Sequence, residues 1–124
     1  AAPPPPAPAP VALPVPGAAR FGALTITGTR GVAGPPAPHA VALRADGPLH
    51  VRGPLPGDRL ALGGGGHARV GRLLADRGVP ARLRHLVPVV VCDGRPLWVA
   101  GHRADAASLA APGEPALLLE ALPA

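Results

Sequence analysis

The sequence predicts an α+β fold: a small mixed sheet with a β-sandwich-like core, one amphipathic helix and a C-terminal hairpin. Three observations predict it. Twenty Pro and seventeen Gly among 124 residues interrupt the chain too often for a helical bundle and favour short strands joined by turns. Aliphatic and β-branched runs recur between those interruptions. Only one apolar stripe at clear helical spacing breaks the series, made by Val70, Leu73 and Leu74. A chain this long is one domain that buries roughly two-thirds of the surface its unfolded form exposes. Phe21 and Trp98 are its only aromatic residues, so Val and Leu must carry the packing.

Taken in order, residues 1–10 (AAPPPPAPAP) read as a Pro-rich linker in extended conformation, a semi-rigid spacer. Residues 11–47 read as lead-in strands. VALPVP at 11–16 suits an edge strand, because its Pro residues cannot donate to a ladder, and Gly17 ends it. RFGALTIT at 20–27 is a strand with Phe21, Leu24 and Ile26 inward, and the following GTRGVAGPPAP is a loop. HAVALR at 39–44 alternates apolar and outward residues, and Asp46-Gly47 turns the chain. Residues 48–124 form the principal unit. Leu49 to Arg52 is a short strand with Leu49 and Val51 inward, stopped by Pro54, Pro56 and Gly57. GGGGHARVGRLLADRGVP gives the helix, closed by Gly78 and Pro80. Arg82 to Leu86 makes a helical turn. Pro88 to Cys92 and Pro96 to Ala100 form a hairpin about Asp93-Gly94. Residues 114–122 (EPALLLEAL) fit either a helix or a closing strand.

Formal net charge is +5 with a pI of about 11.5, and every strongly basic residue is Arg. Nine of the twelve lie between residues 49 and 103, against Asp58, Asp76 and Asp93. Arg suits phosphate, since its planar fork donates two parallel hydrogen bonds and stays charged. The lack of Lys, Asn, Gln, Met and Tyr fits a GC-rich coding sequence equally well. One Cys excludes an intramolecular disulfide or a Cys-based zinc site and suits a reducing cytoplasm. No apolar run approaches the roughly 20 residues that span a bilayer, so no membrane partner is expected. The start lacks a signal-peptide pattern and an initiator Met, and the expectation is a piece of a longer protein.

Few features promise covalent chemistry. Gly63 to Gly66 before a helix invites either a plain flexible loop or backbone contact with a phosphate. His67 and Ala68 follow in place of the Lys-Ser/Thr that an ATP loop requires. His39, His50, His67, His85 and His102 match no metal-ligand spacing. Cys92 sits in an aliphatic strand, where a buried inert thiol is expected. Ser108 is the only Ser, and no Gly-x-Ser-x-Gly surrounds it. No catalytic and no metal-binding residue is therefore assigned.

The Arg residues come from separate elements that a compact fold would gather. Arg52, Arg59, Arg69, Arg72, Arg82 and Arg84 are the candidate phosphate contacts, assisted by the backbone amides of Gly65 and Gly66. The alternative is a solvated basic face without consequence. Asp58 is expected to orient Arg59 or close its turn. With Trp98 read as core, stacking on splayed bases has no platform, so duplex backbone and shape are the expected targets.

One ordered set of motifs resembles a known family. Val51-Arg52 precedes Pro56-Gly57-Asp58-Arg59, then Gly63 to Gly66, the basic helix with Arg69 and Arg72, Val79-Pro80, Arg84, Val87-Pro88 and Trp98-Val99-Ala100-Gly101. This order, with Leu13 to Gly17 upstream, resembles the C-terminal domain of bacterial tRNA(Ile)-lysidine synthetases. Pro54-Leu55 departs from it where relatives usually carry basic residues. The resemblance implies a tRNA-binding fragment of an ATP-dependent ligase that modifies the anticodon wobble cytidine of an isoleucine tRNA. It implies that ATP and the pyrophosphate loop belong to a missing N-terminal catalytic domain, with tRNA as partner and a homo-oligomer possible. The competing expectation is a structural or protein-interaction module with an incidental basic surface.

Overall fold

The computed structural model describes residues 8–35, 37 and 39–123. Residues 1–7 of the expected linker lie outside the described residues, and 8–10 have no regular structure. In chain order come β1 (Val11–Leu13), β2 (Gly17–Phe21), β3 (Leu24–Val32), β4 (Ala40–Leu43), β5 (Leu49–Arg52), β6 (Arg59–Ala61) and β7 (His67–Arg69). Then follow α1 (Val70–Asp76), a 3-10 helix (Ala81–Leu86), β8 (Val89–Cys92), β9 (Arg95–Val99), β10 (Arg103–Ala104), a short 3-10 turn (Ala106–Ser108) and β11 (Pro115–Pro123). They form a five-stranded sheet ordered β1-β5-β8-β9-β10, a four-stranded sheet ordered β2-β3-β11-β4, and the separate hairpin β6-β7. The α+β expectation holds, and every ladder between these strands is antiparallel.

The two larger sheets face each other across one apolar core. Leu13, Leu49, Val51, Val90 and Trp98 from the first sheet meet Phe21, Ile26, Leu43, Leu117 and Leu119 from the second. A second core lies on the other side of the five-stranded sheet, where Leu60, Val70 and Leu74 pack on Val89, Val91 and Val99. Strand β8 explains the arrangement. All four of its residues are buried, because Val90 and Cys92 serve the first core while Val89 and Val91 serve the second. A strand covered on both faces reads as an unbroken apolar run, and each fully buried Val contributes about 1.5–3 kcal/mol. A register shift between Val90 and Val91 lets the consecutive residues Leu97 and Trp98 both enter the inter-sheet core, as an extra residue in one strand does.

Asp93 and Gly94 close the β8–β9 hairpin with φ of 50° and 79°, the left-handed pair that a two-residue turn demands. Helix α1 ends as its sequence foretells. The Gly78 N–H bonds the Ala75 carbonyl and the Val79 N–H bonds the Leu74 carbonyl, with Gly78 at φ 77°, a Schellman cap. At seven residues the helix is too short to stand on propensity and is held by packing Val70 and Leu74.

Three expectations change and one open alternative closes. Residues 28–32 are not loop but the second half of β3, and of the residues left between helix and strand, 115–122 fall in a strand. The cause is shared: β11 pairs with β3 over nine residues, from Pro115 opposite Val32 to Pro123 opposite Leu24, and that ladder overrides the weak strand propensity of Gly28 and Gly31. Gly17 opens β2 rather than ending the preceding strand. The helix begins at Val70, since His67 to Arg69 pair with Arg59 to Ala61 as a strand.

Candidate nucleic-acid interface

The basic surface is built on the β6–β7 hairpin and the helix that continues from it. Pro56 and Gly57 make a turn in which the Asp58 N–H bonds the Leu55 carbonyl at 3.1 Å and Gly57 takes φ of 87°, a conformation that Gly supplies without strain. The Asp58 carbonyl accepts the Val70 N–H at 3.0 Å, tying the turn to the first residue of α1. Alternation along the hairpin then sends Leu60 inward and Arg59 outward. The register sets Arg59 directly opposite Arg69, and Ala61 opposite His67.

Like charges directly opposite each other on a strand pair repel. Among the described residues neither the Arg59 nor the Arg69 side chain has a hydrogen bond or ion pair of its own. There Arg69, Arg72 and Arg103 line a depression of about 740 Å³, together with His67, Asp76, Leu62 and Leu73. Arg72 bonds Asp76 at 3.2 Å across one helical turn, an exposed pair of the kind worth little. The local field is strongly positive.

The hairpin is held from below by a buried carboxylate. Asp105 accepts the Ala61 N–H on Oδ1 at 2.6 Å and the Ser108 hydroxyl on Oδ2 at 2.7 Å, and both side chains are buried. The Ser108 oxygen in turn accepts an Arg95 N–H at 3.5 Å. Ser108, the one hydroxyl considered as a nucleophile, is thus enclosed in a structural network.

The structure brings together only some of the sequence candidates. Arg59, Arg69 and Arg72 share one surface, and Arg103 joins them. Arg82 is exposed on the 3-10 helix. Arg52 is different: it forms a two-bonded pair with Asp58 at 2.7 and 3.1 Å, with side-chain exposures of 11% and 9%. Its guanidinium is committed inside the protein and is not free to meet a phosphate. Asp58 closes the turn, but it orients Arg52 rather than Arg59, and it also accepts the Leu55 N–H at 2.8 Å. Arg84 is half-buried, with its Nε donating to the Val79 carbonyl at 3.0 Å. Gly65 and Gly66 do not precede a helix. They close the β6–β7 hairpin, where the Gly65 N–H reaches back to the Leu62 carbonyl at 3.4 Å and the Gly66 carbonyl accepts the Leu62 N–H at 2.9 Å. Arg103 and His67, which were not among the phosphate-contact candidates, also line this depression.

A second group of cations lies elsewhere. Arg30, Arg44 and Arg95 line a groove that also holds Asp46, Asp93 and Glu114. Each of these Arg side chains is engaged, on the Ala45 carbonyl, the Ala107 carbonyl and the Ser108 hydroxyl. Charge here is balanced.

Two titrating groups are displaced. Burial, then the neighbouring Asp93, pushes the Cys92 thiol up, and its Sγ contacts the Asp46 carbonyl at 3.5 Å. Burial, then Arg77, holds the His102 imidazole below its ordinary value. Among the described residues no group of three His, Cys, Asp or Glu is placed to hold a metal ion, and no helix is long and apolar enough to cross a membrane.

Residues 49–121 match the family described as the TilS substrate C-terminal domain. The chain is 53% identical over 60 residues to a tRNA(Ile)-lysidine synthase of Lactiplantibacillus plantarum, covering 48% of this chain and 13% of that protein. It is 42% identical over 88 residues to a tRNA(Ile)-lysidine synthase of Exiguobacterium sibiricum, covering 70% of this chain and 20% of the relative. It therefore spans a fifth or less of the curated relatives it matches. A solved structure described as a crystal structure of the TilS C-terminal domain superposes with a TM-score of 0.82 at 26% identity, over 93% of this chain and 96% of that one.

Proposed function

This chain belongs to the TilS substrate C-terminal domain family, and we propose that it holds tRNA for a tRNA(Ile)-lysidine synthase whose chemistry resides in another part of a longer polypeptide. The observation that carries the reading is the Arg59–Arg69 pair, two unpaired guanidiniums in register across a hairpin. With Arg72 and Arg103 beside it, the surface offers four cations to a phosphate track. Self-repulsion among these groups is relieved when a polyanion lies over them. Arg82 extends the surface from the neighbouring 3-10 helix, whereas Arg52 and Arg84 support it from within.

The reaction assigned to the parent enzyme consumes ATP and lysine to modify a cytidine. The residues present do not fit ATP: the four glycines close a hairpin, and no Lys follows them. The ligand is tRNA, and the setting is the cytoplasm, where tRNA is modified. If about five phosphates are neutralised, the logarithm of affinity falls with the logarithm of salt at a slope of about −4. A gel shift with tRNA across salt concentrations, against duplex DNA of equal charge, tests the reading. A flat salt response, or equal binding of the DNA, rejects it.

One observation favours a protein-interaction role as a second reading. The outer side of the four-stranded sheet carries an apolar groove of about 630 Å³ lined by Val32, Leu109 and Leu118, with Val32 62% exposed.

A further inference from the structure

We propose that the outer side of the four-stranded sheet is the contact surface for a second copy of this chain, giving a two-fold symmetric dimer held sheet against sheet. The inference rests on the protein-interaction reading of the groove at Val32, Leu109 and Leu118 and names its partner. It does not depend on tRNA holding.

Charge is the first argument. Outward positions on these strands alternate with core residues such as Ile26, Leu117 and Leu119. Among the outward residues of the four strands only Arg20 and Glu120 are charged, and Thr25, Thr27, Leu118 and Leu122 surround them. Both charged residues are exposed, and neither side chain has a hydrogen bond or ion pair among the described residues. The ladders fix their separation. Arg20 lies opposite Thr25 on β3, and Glu120 lies opposite Thr27 from the other side of that strand. They stand two strands and two residues apart, about 12 Å. Two unpaired opposite charges make the face self-complementary. A two-fold axis lying in the interface and crossing β3 between Thr25 and Thr27 sets Arg20 of each copy against Glu120 of the other.

Position is the second. The β6–β7 hairpin and α1 cover the far side of the five-stranded sheet, and the groove opens on the opposite side of the sandwich. Two copies joined here turn their Arg59–Arg69 surfaces away from each other. A chain of net charge +5 thereby pairs without stacking its cations on their like. Area is the third. A strand spacing of about 4.8 Å and a rise of about 3.4 Å per residue give this sheet roughly 440 Å². With the exposed rim at Val32 and Leu109, each copy offers about 500 Å² and a pair buries about 1,000 Å², the lower limit for a specific interface. The dimer is therefore of the weak, reversible kind.

Sedimentation equilibrium of the full chain, from micromolar to submillimolar concentration, is expected to show the mass rising from 12.2 kDa towards twice that value. Arg20→Glu and Glu120→Arg should each weaken association about tenfold or more, because like charges then meet. Mixed in equal amounts, the two variants should recover the parental association, since one supplies both carboxylates and the other both guanidiniums. Circular dichroism checks that each is folded. Should either fail to fold, Thr27→Arg brings a cation of each copy beside the axis and is expected to abolish the dimer. A chain that stays monomeric throughout overturns the second-copy assignment and leaves the face open to a different protein. A dimer that the folded variants leave intact puts the contact on another surface and overturns the use of this one. Variants that stay apart when mixed overturn the reciprocal pairing. None of these outcomes touches tRNA holding, which the gel shift reads separately.

Discussion

Arg52 on β5 and Asp58 in the following turn form a two-bonded ion pair, with contacts of 2.7 and 3.1 Å and both side chains about a tenth exposed. The pair joins the central sheet to the base of the basic hairpin. Removing one partner leaves the other charged and poorly hydrated. Arg52→Ala is therefore expected to cost about 2–4 kcal/mol of stability, measured by urea unfolding. A loss below about 0.5 kcal/mol, in the range of neutral surface changes, would return Arg52 to the set of free phosphate ligands.

Arg69 and Arg72 lie off the apolar stripe that holds α1, so the double Ala variant should fold normally. Its tRNA affinity should fall, with a salt slope shallower by about 2, as two lost phosphate contacts require. An unchanged slope in a folded double variant removes both residues from the interface.

Arg59→Glu separates stability from binding by moving them in opposite directions. It converts a like-charge cross-strand pair into an attractive one, worth about 0.2–1 kcal/mol of added stability. It also places a carboxylate where a phosphate should sit, so tRNA binding weakens. Thermal unfolding and a binding titration of the same sample read both effects, and a less stable variant contradicts the register.

Asp105→Ala takes the acceptor from the Ala61 N–H and the Ser108 hydroxyl. Leaving these groups unmet should cost about 1–3 kcal/mol and loosen the hairpin before the sheets. Hydrogen exchange would show protection lost first at β6 and β7. Uniform loss across the molecule would mean that Asp105 supports the whole fold rather than the basic hairpin.

Burial and Arg77 hold the His102 imidazole below its ordinary value of 6.5. As pH falls below 6.5, the unfolded chain binds a proton that the folded chain refuses, so stability declines. The loss levels off once the folded imidazole also titrates. His102→Gln should therefore lose less melting temperature on acidification from about pH 7.5 to about pH 5. Parallel losses in variant and parent would assign the effect to other groups.

The amino-acid sequence by itself determined the local units. Val89 to Cys92, Asp93-Gly94 and the residues after them make a hairpin because the turn residues allow positive φ and the flanks are aliphatic. Val70, Leu73 and Leu74 with Gly78 make a capped helical turn because spacing and cap chemistry agree. The Arg-rich order of motifs also pointed to the family. Tertiary structure alone decided the rest. Residues 115–122 become a strand because β3 and β4 lie alongside them. Gly65 and Gly66 become a hairpin tip only because His67 to Arg69 find Arg59 to Ala61. The same holds for the cations: Arg52 and Arg84 look like Arg69 and Arg72 in the chain, yet folding turns Asp58 and the Val79 carbonyl onto the first two and leaves Arg69 free. Which guanidinium meets solvent depends on cross-strand register and burial, and neither quantity is written in local spacing.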